Sequence, residues 1–272
     1  MHTPLCRHAE GEPEAYADVA RRRGLAGMIV TCHNPMPESY GHSGRMRDDQ
    51  VGQYLAMVDR CGNACGGGLD VRVGLECDYF PGYESYVRQQ IESLPLHYVI
   101  GSVHPHLAIW RRRFVTEEAR QTQMNYFNQL AAAAETEMFD SVSHPDLIKN
   151  MTEEQWDFQA IADHVGWCLD RIANVGVAME LNTSGRLKSV PEMNPTPAML
   201  RMMRQRNIPV VLGSDAHVPE RVADHFEQAL ELLRQVGYTH VSYFLDRKRR
   251  EIEIDAALGS LISQEAPAPL PA

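Results

Sequence analysis

The sequence predicts an α/β chain folded as one parallel barrel. Three observations carry that expectation. Short apolar, β-branched runs alternate with longer helical stretches, no linker interrupts the alternation, and one run after another ends in an imidazole or a carboxylate. The 272 residues suffice for one large barrel or two ordinary domains, and 44% hydrophobic content provides a substantial core. A formal net charge of -10 argues against a mainly electrostatic partner, so neither nucleic acid nor an anionic membrane is expected. With no signal peptide and no apolar run long enough to span a bilayer, six scattered cysteines predict a reduced, cytoplasmic setting.

In chain order, EPEAYADVARRRG reads as a helix ending in Gly, and GMIVTCH (27–33) as the first strand. The Gly-rich CGNACGGGLD reads as a loop. Its Cys61 and Cys65 lack a second pair to complete four zinc ligands. Strands follow at VRVGLECDYF (71–80), HYVIGSVH (97–104) and FDSVSH (139–144), the last preceded by the helical TQMNYFNQLAAAAETE. The helical WDFQAIADHVGWCLDRIANVG then leads to a strand at GVAMELN (176–182), and TPAMLRMMRQRN leads to IPVVLGSDAH (208–217). HFEQALELLRQVG and a last strand, THVSYF (239–244), complete a single domain over residues 1–262. The tail 263–272, containing QEAPAPLPA, is predicted to be disordered from its Pro/Ala content.

The strand ends point to chemistry. His33, Glu76, His104, His144, Asp215 and His217 all lie at or near the C-terminal ends of predicted strands, which share one face in a parallel barrel. A single such histidine is ordinarily structural. Coincidence at five strand ends instead indicates a cluster of the two ligand types that suit zinc, iron and manganese.

The motifs HTPLCRHAEG, TCHNPMP, GLECDY, GSVH, SHPDLIK, LNTSG and GSDAH occur in order from residue 1 to about 220. Together they resemble the PHP (polymerase and histidinol phosphatase) superfamily, specifically its histidinol-phosphate phosphatase branch. The resemblance implies a distorted seven-stranded (β/α) TIM-like barrel and two or three divalent ions (Zn, Mn or Fe). It implies one ion at His2, Glu76 and Asp215, a second at Glu76, His104 and His144 with Glu76 bridging, and a third at His8, His33 and His217. It aligns His2 with the second histidine of an H-x-H motif whose first histidine falls one residue before Met1. On that alignment the first strand is truncated in this chain, and GMIVTCH corresponds to the family's second strand.

Hydrolysis of a phosphate monoester needs hydroxide at neutral pH and neutralised phosphoryl oxygens. Paired metals meet both needs, lowering the pKa of bound water from ~16 to ~7. Glu76, Asp215 and His217 are the candidate catalytic residues, Asp215 orienting the nucleophile and His217, or a water, protonating the leaving group. Arg45, Lys149 and Arg186 follow strand ends and are candidates for holding the substrate phosphate. His106 and His42 are expected to be bland, Cys32 to be packing, and the RRR triplet at 111–113 to be a possible lining of the cleft mouth. The leading function is hydrolysis of L-histidinol phosphate, a small phosphorylated amino alcohol, in histidine biosynthesis. The alternatives are a PHP phosphoesterase acting on nucleotides or nucleic-acid ends, and a non-catalytic metal-binding scaffold.

Overall fold

Seven parallel strands lie side by side in chain order: β1 (Gly27–Val30), β2 (Asp70–Asp78), β3 (Tyr98–Ser102), β4 (Ser141–Val142), β5 (Ala178–Asn182), β6 (Val210–Gly213) and β7 (His240–Leu245). They appear in a computed structural model that describes residues 1–41 and 44–262; His42 and the tail 263–272 lie outside the described residues. An eighth strand, β8 (Lys248–Glu253), turns back antiparallel to β7 and was not expected. Its KRREIE sequence is exposed at every position, so no apolar alternation marks it as a strand.

Nine helices connect the strands among the described residues: α1 (Pro13–Arg22), α2 (Val51–Cys65), α3 (Glu84–Ser93), α4 (Ala108–Phe114), α5 (Ala119–Glu135), α6 (Phe158–Val175), α7 (Pro197–Gln205), α8 (Phe226–Val236) and α9 (Ile254–Ser260). Local chemistry sets their ends. The Asp157 carboxylate accepts from the N–H groups of Gln159 and Ala160 at the start of α6, and Gly176 ends it at φ 79°, where a side chain is disfavoured. Cys61 and Cys65 correct the sequence reading. They lie on α2 rather than in a loop, because Tyr54, Met57, Val58, Cys61 and Cys65 recur at helical spacing and bury one face.

The sheet curls but does not close along its length. Asp70 N–H donates to Ala26 O and Glu76 N–H to Cys32 O, so the even-numbered residues of β1 and its extension face β2. The odd-numbered ones face away from β2, and Thr31 N–H donates to Met1 O at 2.9 Å. On the other side His2 N–H donates to Ala216 O at 3.0 Å, just past β6. Residues 1–3 therefore join the two edges at the C-terminal rim. Below them a cavity of about 560 Å³ separates β1 from β6 and β7, lined by Ile29, Val211, Val241 and Phe244 among others.

The opposite end is covered by the β7–β8 turn. Arg247 donates to Asp140 Oδ2 at 2.6 Å and to Met138 O at 2.7 Å, tying the turn to the start of β4. Phe244 stacks on Tyr98 inside the barrel with ring centroids 5.4 Å apart. With that end plugged, the C-terminal rim is where polar side chains converge.

Candidate metal centre

Five of the strands, β1, β2, β3, β4 and β6, deliver polar residues as they leave the core. Glu76 is on β2, flanked by Leu75 and Cys77, which are both buried. His33, His104 and His144 follow β1, β3 and β4, and Asp215 and His217 follow β6. His144 (φ 24°) and Asp215 (φ 47°) adopt left-handed backbone, which non-glycine residues rarely take and which costs on the order of 1 kcal/mol or more. Such strain persists where surrounding contacts fix it. Here the His144 N–H donates to Glu180 Oε2 at 2.9 Å.

Glu76 lies at the middle of the cluster. Its Oε1 is 3.4 Å from both His104 Nε2 and His144 Nε2, and its Oε2 is 3.3 Å from His2 Nε2 and 3.5 Å from His33 Nδ1. One carboxylate thus faces four imidazoles with its two oxygens divided between them. Ser102 Oγ also donates to Oε1, at 2.5 Å. Burial alone would raise this carboxyl, but His33, His104, His144 and His2 hold it well below the usual carboxylate range. Asp215 is likewise lowered against burial by His2, whose Nε2–H donates to its Oδ1 at 3.0 Å, while Ser184 Oγ donates to Oδ2 at 3.1 Å.

Two further imidazoles, His8 and His217, form a column with His2. His2 stacks on His217 with centroids 4.0 Å apart, and His217 on His8 at 4.5 Å, while His33 lies 5.4 Å from His8. In His8 and His217 the Nδ1–H donates to a backbone carbonyl, Cys6 O at 2.8 Å and Asp215 O at 2.9 Å. That fixes the tautomer and leaves Nε2 with its lone pair. His217 Nε2 is buried without a hydrogen-bond partner. Burial, followed by the nearby His2, pushes His217 down to about 4, which favours a lone-pair role over proton donation.

This donor set fits divalent ions. Ligand atoms of His2, Glu76 and Asp215 lie within 4.8 Å of one another, as do those of His33, Glu76 and His104, and of His2, His33 and His217. An imidazole whose second nitrogen donates to a carbonyl or carboxylate is the usual arrangement of a metal-ligating histidine.

The phosphate candidates separate. Arg45 lines the cleft but is buried, and its guanidinium pairs with Asp78 Oδ2 at 2.5 Å. Lys149 is fully buried away from the cleft; its Nζ donates to Met193 O at 2.8 Å and pairs with Asp146 at 3.2 Å. Arg186 points to solvent while its neighbours Ser184, Leu187 and Lys188 line the cleft. Position after a strand end sets only how far each loop reaches along the chain, whereas the 3-10 turns Leu147–Asn150 and Thr183–Leu187 set which way each side chain points. The RRR triplet at 111–113 is exposed at the end of α4 and does not line the cleft.

Several residues were not anticipated. Asp78 Oδ1 accepts from His104 Nδ1–H at 2.5 Å and, with Glu76, raises His104 to about 10 against the effect of burial. Glu180, buried in β5, accepts from His144 N–H and Asn182 Nδ2. A lone acid inside the apolar GVAMELN was its signal. His106 lines the cleft 5.4 Å from His104, and Cys32 faces Cys6 and His2 instead of merely packing. The cleft holds about 640 Å³, with Leu107, Leu147, Leu187 and Val218 forming apolar walls and Lys188 and Arg221 adding positive charge.

Comparison with known proteins gives a consistent picture. The PHP domain profile matches residues 1–184. A probable histidinol-phosphatase of Deinococcus radiodurans is 39% identical over 250 residues, spanning 89% of this chain and 94% of that protein. A histidinol-phosphatase of Bacillus subtilis is 25% identical, spanning 85% and 97%. A crystal structure of histidinol phosphate phosphatase from Lactococcus lactis, complexed with zinc, L-histidinol and phosphate, superposes with a TM-score of 0.78 at 19% identity, covering 92% and 97%.

Proposed function

The chain belongs to the PHP-domain family, in its histidinol-phosphatase branch, and on that premise we propose that it hydrolyses L-histidinol phosphate to L-histidinol and phosphate in histidine biosynthesis. The observation that carries the reading is Glu76, whose two oxygens face four imidazoles at the floor of the cleft. His2, Glu76 and Asp215 would hold one ion, Glu76, His104 and His144 a second, and His8, His33 and His217 a third. Divalent ions held there supply Lewis acidity, both to acidify water and to offset charge on the phosphoryl oxygens.

The chain's own groups do the rest. Glu76 remains ionised at neutral pH and sets the spacing of the cluster. Asp215, held by Ser184 and His2, presents a fixed carboxylate to the reacting face. Lys188 and Arg221 attract the phosphate dianion, and the apolar walls accept the flat imidazole end of the substrate and exclude water around it. A cleft of about 640 Å³ suits a small amino alcohol phosphate. No helix among the described residues is long and apolar enough to cross a membrane. We place the enzyme in the cytoplasm, where its six free, buried cysteines stay reduced.

The test is steady-state kinetics with L-histidinol phosphate, p-nitrophenyl phosphate and a nucleoside monophosphate, before and after chelation. The reading requires kcat/KM for histidinol phosphate to exceed the others by at least a hundredfold, because binding the imidazole end orients the phosphoryl group. It also requires chelation to abolish turnover. Equal rates on all three substrates, or full activity in metal-free protein, would overturn it.

A further inference from the structure

Cys6 sits in a position that the reaction as derived above leaves unused. It ends the 3-10 turn Pro4–Cys6, where Arg7, at φ 67°, folds the chain back so that His8 Nδ1–H donates to the Cys6 carbonyl. The thiol is fully buried. Its sulfur lies within 4.8 Å of a ring nitrogen of His8 and one of His217, the three ligand atoms being mutually that close. It belongs equally to a second group of the same tightness, with His2 and Cys32.

Two of the histidines grouped with this sulfur carry an unpartnered ring nitrogen. His217 Nε2 is buried without a hydrogen-bond partner, and so is Nδ1 of His2, a residue only 2% exposed. Cys32 is already engaged, accepting from Thr3 Oγ1 at 3.2 Å and lying 3.8 Å from Thr3 O. Cys6 is therefore the sulfur better placed to turn to an ion. A thiolate with two neutral imidazoles is a donor set of the zinc type, whereas manganese favours carboxylate, carbonyl and water.

We propose that Cys6 is a thiolate ligand of the ion held by His8 and His217, and that this sulfur makes the third site selective for thiophilic borderline ions over manganese. The inference rests on the metal-centre reading above and extends it by one donor. It gives the hydrolytic cluster two chemically different ends. The Glu76 end is oxygen-rich, and the Cys6 end is the softer one.

Cobalt(II) reports the bond directly, because thiolate-to-cobalt charge transfer gives an intense near-ultraviolet band that nitrogen and oxygen donors do not. Metal-free wild type, Cys6→Ser and Cys32→Ser proteins are titrated with Co²⁺, with bound metal counted independently. The wild type and Cys32→Ser are expected to develop the band, and Cys6→Ser to lose it while still binding cobalt at the other positions. In competition, Cys6→Ser should lose at least tenfold more affinity for Cd²⁺ than for Mn²⁺. Bound cobalt without the band in the wild type overturns the proposal, whatever the variants do, and so does a band that survives Cys6→Ser. Protein that binds no cobalt at all fails differently, since that result removes the metal centre itself along with its sulfur ligand.

Discussion

Replacing Glu76 by glutamine keeps the size of the side chain and removes its charge. Four imidazole nitrogens face it at 3.3–3.5 Å. At such distances each unit of positive charge interacts with a carboxylate by about 5 kcal/mol at an effective dielectric of about 20, before the cost of burying the carboxylate is subtracted. Breaking a buried pair from one side typically loses about 3–5 kcal/mol net. That corresponds to roughly 10²- to 10⁴-fold weaker binding per ion. Because the two oxygens face different histidine pairs, the loss should fall on two ions together. His144→Asn, which touches only the Oε1 side, should weaken one. The assay is metal content after dialysis against a graded chelator series, with kcat on histidinol phosphate measured on the same samples. Glu76→Gln protein that keeps its full metal complement, with kcat within threefold of wild type, would refute the bridging role.

Three further outcomes are expected. Asp78→Asn removes the carboxylate that orients His104 and should weaken metal binding about 10- to 100-fold, with Asp78→Glu recovering part of it in chelator competition. Lys149→Met should lower stability by about 3–5 kcal/mol by stranding Asp146, while the folded fraction keeps wild-type KM; a raised KM at unchanged melting temperature would instead restore the phosphate-binding role. In metal-free protein His104, raised to about 10, contributes stability that is full below its unfolded pKa of about 6.5 and is lost as pH rises through 10. Asp78, lowered in the fold, contributes stability that is full above about pH 4 and is lost as pH falls further. Denaturant melts across pH should therefore show a plateau between about 4 and 6.5. Since metal must displace the His104 proton, chelator competition should show affinity rising with pH above that plateau; a pH-independent affinity would contradict it.

Strand positions were legible because buried parallel strands are continuous apolar runs, and β1 to β7 all coincide with such runs. The polar β8 carried no such signal, and α2 was obscured by the glycines around its cysteines. In the site, residue type at strand ends pointed to Glu76, Asp215, His33, His104, His144 and His217, which the structure brings to one rim, whereas His2 and His8 were implied only by the family resemblance. Side-chain direction in the following turns was not encoded in any local pattern, so Lys149 and Arg186 were placed on the wrong side of their loops. Asp78 drew no expectation, and Cys32 was expected only to pack, for a related reason. Their partners, Arg45 with His104 and His2 with Cys6, arrive from distant segments.

The join made by residues 1–3 ties the occupancy of the centre to a local opening reaction. Two backbone hydrogen bonds, worth about 1 kcal/mol each, anchor these residues to the strands on either side, above a cavity that offers them little packing. Whenever this segment lifts, the His2 imidazole leaves with it, so with His2 as the proposed ligand, release of the first ion and opening of the rim would be one event. Mass action then runs backwards along the same path: bound metal adds RT ln(1 + [M]/Kd) to the protection of the amides that close the rim. The amide protons of His2 and Thr31 are thereby gauges of metal occupancy. Their exchange with solvent should slow on loading far more than that of amides in β3 or β5, whose opening does not release a ligand in the same way.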